Sequence, residues 1–113
     1  MSYEDLDVWK RAVKLSVEIY SSTRELRDYG FRDQLTRSSL SVASNIAEGF
    51  ERGSDNEIAR FLTIAKGSAG EMRTQVIIGQ QIGYIPPVEA EQWADESLQL
   101  GRMLGALIRK YRG

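Results

Sequence analysis

The sequence predicts an all-α fold, an antiparallel up-down-up-down bundle of four helices. Three observations predict it. Apolar residues recur at the three-to-four spacing of a helix face through four segments, and β-branched alternation is nowhere sustained. The two prolines, Pro86 and Pro87, are adjacent and fall between two of these segments. The connections are short and the segments similar in length, which makes consecutive helices antiparallel neighbours. A chain of 113 residues is a single domain, residues 1–113, with helices expected at about 6–26, 31–50, 55–82 and 87–111.

At a rotation of about 100° per residue, the first helix carries two apolar arcs. Leu6, Trp9, Val13, Val17 and Tyr20 share one; Val8, Ala12, Leu15, Ile19 and Leu26 share the other. A bundle helix needs a single stripe of roughly 100°. The surplus predicts either central burial or a contact with another subunit, and the arc of Val8, Ala12, Leu15 and Ile19 is the expected oligomer interface. The turn that follows is read at Arg27-Asp28-Tyr29-Gly30, with Gly30 as the C′ residue.

The second helix turns Leu35, Val42, Ile46 and Phe50 inward, padded by Ser38, Ser39 and Ala43. A polar lane of Arg37, Ser41, Ser44 and Glu48 runs beside them, with Asn45 at its border. The break is expected across Gly49–Gly53. Ser54-Asp55-Asn56-Glu57 has capping-box spacing and starts the third helix. Its core face is Ile58, Phe61, Leu62, Ala65, Ala69, Met72, Val76 and Gly79, beside a lane of Ser68, Glu71 and Gln75. Gly67, Gly70 and Gly79 each cost about 1 kcal/mol against alanine in a helix interior, so close backbone contact is expected there. Gly83 ends the helix.

Pro86-Pro87 suits a helix N-terminus, where proline lacks only an amide hydrogen that is unpaired anyway. Ala90, Trp93, Ala94, Leu100, Leu104, Leu107, Ile108 and Tyr111 form the inner face of the fourth helix, with Gly101 and Gly105 near it. Glu89 and Glu91 at its start and Arg109, Lys110 and Arg112 at its end complement the helix dipole.

The chain has no histidine and no cysteine. That excludes a Ser-His-Asp triad, a thiolate nucleophile and an imidazole base, and also the Glu-x-x-His pairs of di-metal bundles. No phosphate-cradling glycine motif occurs. No cofactor and no metal are expected. Carboxylate chemistry would have to centre on Glu48 and Glu71. The plainer reading is a structural polar network of Asn45, Glu48, Ser68, Glu71 and Gln75 where the second and third helices meet. Trp9 and Trp93 are expected in core or interface. Net charge is −1 and arginine outnumbers lysine eleven to four. The possible nucleic-acid contact is Arg102, Arg109, Lys110 and Arg112, for which a solvated helix end is the simpler account. The N-terminus lacks the pattern of a signal peptide and no apolar run spans a bilayer, so cytoplasmic location is expected.

Several motifs then stand in a particular order: Tyr3-Glu4-Asp5-Leu6-Asp7-Val8-Trp9, Gln34 through Arg37, Ser44-Asn45-Ile46-Ala47-Glu48-Gly49-Phe50, Arg60-Phe61-Leu62, Ile64-Ala65, Gly67-Ser68, Glu71, Thr74-Gln75 and Gly83-Tyr84-Ile85. In these the chain resembles the small bacterial four-helix-bundle proteins encoded by intervening sequences in large-subunit ribosomal RNA genes. The resemblance covers nearly the whole chain. It implies a left-handed bundle that assembles into a ring, commonly a homopentamer, and kinship with the accessory proteins of diversity-generating retroelements, which bind a reverse transcriptase and nucleic acid. The chain departs from the family pattern at Ala43, at Ala69-Gly70 and at Pro86-Pro87, and it lacks the basic excess of the retroelement relatives.

The expected function is therefore a non-catalytic, homo-oligomeric structural or adaptor module. A nucleic-acid-associated accessory factor is the alternative. A carboxylate enzyme or metal site ranks third.

Overall fold

The computed structural model describes residues 2–113. Among them it holds a 3-10 turn, Tyr3–Asp5, and four α-helices: α1 Asp7–Ser22, α2 Tyr29–Arg52, α3 Asp55–Gln81 and α4 Pro87–Arg112. The bundle is 42 × 21 × 19 Å. Its long axis is the length of one helix, since 27 residues of α3 at about 1.5 Å each span roughly 40 Å.

Cross-helix contacts show the antiparallel order directly. Between α2 and α3, Ser38 Oγ donates to Gln75 Oε1 at 2.6 Å, and Ser41 pairs with Ser68 at 2.8 Å. Farther on, Gly49 faces Ile58 and Phe61. As one number rises, the other falls.

The interior is as the helical period predicts for α2, α3 and α4. Leu35, Val42, Ile46, Leu62, Ala65, Val76, Leu100 and Leu104 have no exposed surface. α3 is the central element, packing closely against both α2 and α4, whereas α1 touches α4 sparingly.

Helix ends depart from expectation where local hydrogen bonds decide them. α1 stops at Ser22 rather than near Leu26. Thr23 closes the last turn on Ile19 O with its amide (3.0 Å) and hydroxyl (2.7 Å). The chain then leaves the helical ladder, the Leu26 amide bonding Thr23 O at 3.1 Å in a tighter three-residue turn. Gly30 is not a C′ residue but lies within the first turn of α2. Asp28 caps that helix, its Oδ1 accepting from the Phe31 amide at 3.1 Å. α2 runs through Gly49 to Arg52 and ends at Gly53, which takes a left-handed φ of 85°. Ser54 Oγ accepts from the Glu57 amide at 3.2 Å, so the serine half of the capping box forms. The Glu57 side chain instead pairs with Arg52 and Arg60. Gly83, at φ 81°, closes α3 as expected.

The surplus arc of α1 is the reverse of the expected one. Val8, Ala12, Leu15 and Ile19 are the buried arc, at most 3% exposed, and belong to the bundle's own core. They have no surface left for a neighbouring subunit. The outer arc is Leu6, Trp9, Val13, Val17 and Tyr20, with Val17 60% and Tyr20 43% exposed. Two polar contacts orient the helix this way. Ser16 reaches Ser39 of α2 at 3.1 Å, and Arg11 reaches Glu96 and Gln99 of α4.

Candidate functional site

Three surfaces carry side chains that the fold alone does not use up. The first is the seam between α2 and α3. Asn45 Nδ2 donates to Ser41 O and Ser41 Oγ, both at 2.8 Å, and Ser41 pairs with Ser68. Ser38 joins Gln75 one turn away. Asn45, Ser68 and Gln75 therefore enter a polar seam, through serines of α2 that link them. Glu48 does not: it is exposed and faces Arg52 at 3.6 Å along its own helix. Glu71 is also exposed and lines an open pocket of about 400 Å³ with Gln34, Arg37 and the seam serines. The two carboxylates so lie in different surroundings, and no group of three or more potential metal-ligating side chains occurs among the described residues.

The second surface is the outer arc of α1. Trp9 packs edge-on against Tyr3, with ring centroids 5.7 Å apart, while Trp93 is fully enclosed in the core. Leu40 of α2 is 50% exposed. It adjoins Ser39, whose bond to Ser16 sets Leu40 and Val17 at one level of the bundle.

The third surface was only half legible in advance. Of the four basic residues expected to cluster, Arg102 and Arg109 line a trough of about 410 Å³ between α3 and α4. Lys110 lies over the Tyr111 ring, and Arg112 reaches Thr63 of α3 at 3.4 Å. The trough's other wall supplies Lys66 and Arg73. Their signal in the sequence is a repeated spacing, 66 and 73 on one helix and 102 and 109 on the next, accompanied by Gly67 and Gly70 on the first and by Gly101 on the second. Those glycines do not serve close contact. A Cβ at Gly67, Gly70 or Gly101 would meet no atom within 4 Å, whereas one at Gly79 would collide with Ile85 and Phe31.

Two carboxylates elsewhere are electrostatically tuned. Hydrogen bonds from Arg11 hold the Glu96 carboxyl below its ordinary range. The Phe31 amide, then the Tyr84 hydroxyl, lower Asp28 in the same way, and the Tyr84 hydroxyl is raised in return. Both pairs tie helices and turns together, which is a structural use of charge.

Residues 4–106 match the family model described as the 23S rRNA-intervening sequence protein. The chain belongs to that family. Among solved structures, this intervening-sequence protein is similar to a crystal structure of a protein of unknown function from the S23 ribosomal protein family of Bacteroides thetaiotaomicron VPI-5482. The two share 22% identity over 89% of this chain and 97% of the other, with a TM-score of 0.84. That likeness establishes the bundle. A comparison with curated proteins finds no match. No helix among the described residues is long and apolar enough to cross a membrane.

Proposed function

We propose that this intervening-sequence family member is a non-catalytic structural or adaptor module of the bacterial cytoplasm that works as a homo-oligomer. Its copies close into a ring, with five as the expected number. The observation that carries this reading is the apolar strip on the outside of α1. Leu6, Trp9 and Val13 are only partly covered, and Val17, Tyr20 and the nearby Leu40 are between 43% and 60% exposed. Apolar surface left in water forgoes roughly 25 cal/mol per Å², and a contiguous strip of this kind marks an interaction site. A strip sealed by a different surface of the next copy makes a head-to-tail contact, which generates a ring when the rotation closes.

Multi-angle light scattering at micromolar concentration tests the reading. The expected mass is five times 12.8 kDa; a monomer at those concentrations removes it.

The second reading, a nucleic-acid-associated factor, is favoured by Lys66, Arg73, Arg102 and Arg109 converging on one trough. It requires binding of RNA or DNA in fluorescence anisotropy that weakens steeply with salt. No binding at low salt ends it.

A further inference from the structure

The trough between α3 and α4 joins three features that the bundle's own packing leaves unexplained. The first is unbalanced charge. No carboxylate lines the trough, and Lys66, Arg73, Arg102 and Arg109 have no ion-pair partner among the described residues. Two of them converge: a Cβ on Gly105 would sit 3.7 Å from Lys66 Nζ and 3.6 Å from Arg109 Nη1. Like charges brought together in this way repel, and an anion between them reverses the sign. The second feature is Arg73 Nε, which is buried with no hydrogen-bond partner. The bundle leaves this donor unsatisfied, and a guanidinium that re-orients toward an acceptor in the trough would pair it. The third is the floor. At Gly70 and Gly101 a side chain would point into open space, so these glycines leave a smooth, low track rather than admitting a neighbouring helix of the same bundle.

We infer that this trough docks an amphipathic α-helix of a partner protein, with acidic residues flanking its apolar stripe. The spacing fits that occupant. The cations stand seven residues apart on each wall, a rise of about 10.5 Å. A third helix lying along the trough presents its own residues i and i+7 at the same rise. Its glutamates or aspartates then meet Lys66 and Arg109 toward one end, and Arg73 and Arg102 toward the other. Its apolar stripe covers the track of Ala69, Gly70 and Gly101, where missing side chains let the two axes come close. Single-stranded nucleic acid needs aromatic platforms, and no aromatic residue lines the trough. A second copy offers its α1 strip, but Lys10 and Lys14 flank that strip and would meet like charge. The inference thus goes beyond the ring and uses a different face.

The test selects, from a displayed library of 18-residue helical peptides, binders to the intact oligomer. Library members carry a leucine-alanine stripe and fixed glutamates two turns apart on both flanks. The selected peptide is then titrated by fluorescence anisotropy. Binding in the micromolar range is expected, at least tenfold weaker to the Gly101→Leu chain and to the Arg73→Gln/Arg102→Gln chain, with unchanged circular dichroism. Lysine in place of the glutamates should abolish it. The inference is overturned if the library yields no binder, if neither variant weakens binding, or if an oligouridylate RNA occupies the trough and no peptide does. Light scattering on Gly101→Leu separates this outcome from the ring. An unchanged mass is expected, and dissociation of the oligomer would make the trough a subunit interface and overturn the inference.

Discussion

Arg11 and Glu96 are joined by two hydrogen bonds, 2.9 Å from Nε to Oε2 and 2.5 Å from Nη2 to Oε1. The fork also reaches Gln99, so one arginine of α1 holds two residues of α4. Glu96→Gln should destabilise the bundle by about 1 kcal/mol near neutral pH, because the pair is partly exposed and screened. Glu96 has a depressed folded pKa. Its contribution is therefore complete above the unfolded carboxylate range and lost as pH falls through the lowered value. Thermal melts should show the gap between wild type and variant closing on acidification.

A second tie titrates at both ends. The Tyr84 hydroxyl donates to Asp28 Oδ2 at 2.9 Å, linking the turn after α3 to the cap of α2. Asp28 is depressed and Tyr84 raised. The bond stabilises between the two titrations, is lost in acid as Asp28 protonates in the folded state, and is lost in alkali as Tyr84 ionises. Tyr84→Phe should melt below wild type at neutral pH and converge with it at both extremes.

Inside the bundle, Ser16 and Ser39 form a buried hydroxyl pair at 3.1 Å, and Ser39 Oγ donates on to Thr36 O at 2.8 Å. Ser39→Ala leaves the Ser16 hydroxyl with no partner at a buried site and should cost about 1–3 kcal/mol. The Ser16→Ala/Ser39→Ala double variant should be less destabilised than the two single losses summed, as a denaturant double-mutant cycle would measure.

Glycines in this chain should respond to alanine with opposite signs. At Gly67 a Cβ meets open space, so Gly67→Ala should gain about 0.5–1 kcal/mol from helix propensity and raise the melting temperature by a few degrees. At Gly49 the added atom would lie 3.3 Å from the Ile58 backbone and 3.0 Å from Phe61 Cβ. Backbone gives little, so Gly49→Ala should lose about 1–3 kcal/mol.

The two arcs of α1 can be separated by one substitution in each. Leu15→Glu puts a carboxylate in the core and should unfold the chain, whose total stability is about 5–15 kcal/mol. Val17→Glu should leave helix content intact by circular dichroism and lower the mass seen by light scattering.

The cores of α2, α3 and α4 were legible because each helix has one apolar arc, and the 3.6-residue period then has a single solution. α1 has two arcs of nearly equal apolarity, and periodicity cannot choose between them. The choice is made by Ser16 and Arg11, whose partners Ser39 and Glu96 lie far away in sequence. A small-residue clue was present: Ala12 and Ser16 are small and lie on the buried side, where they permit close packing, whereas Trp9 and Tyr20 lie on the other arc. The polar seam was legible in Asn45, Ser68 and Gln75. Glu48 and Glu71 were not placed by pattern, since a rotation of about 100°, a single residue, separates a seam from open water. Among the glycines of α3 and α4, Gly79 does serve close contact, whereas Gly67, Gly70 and Gly101 do not, because a missing side chain serves both close contact and an empty groove.

α1 is 16 residues long where its companions run from 24 to 27, and it meets α4 sparingly. Amide exchange should consequently proceed first along this helix, with α3 the last to surrender its protons. The element whose apolar flank is proposed to meet other copies is thus also the least anchored at home; on that proposal, association would slow its opening and dilution would hasten it.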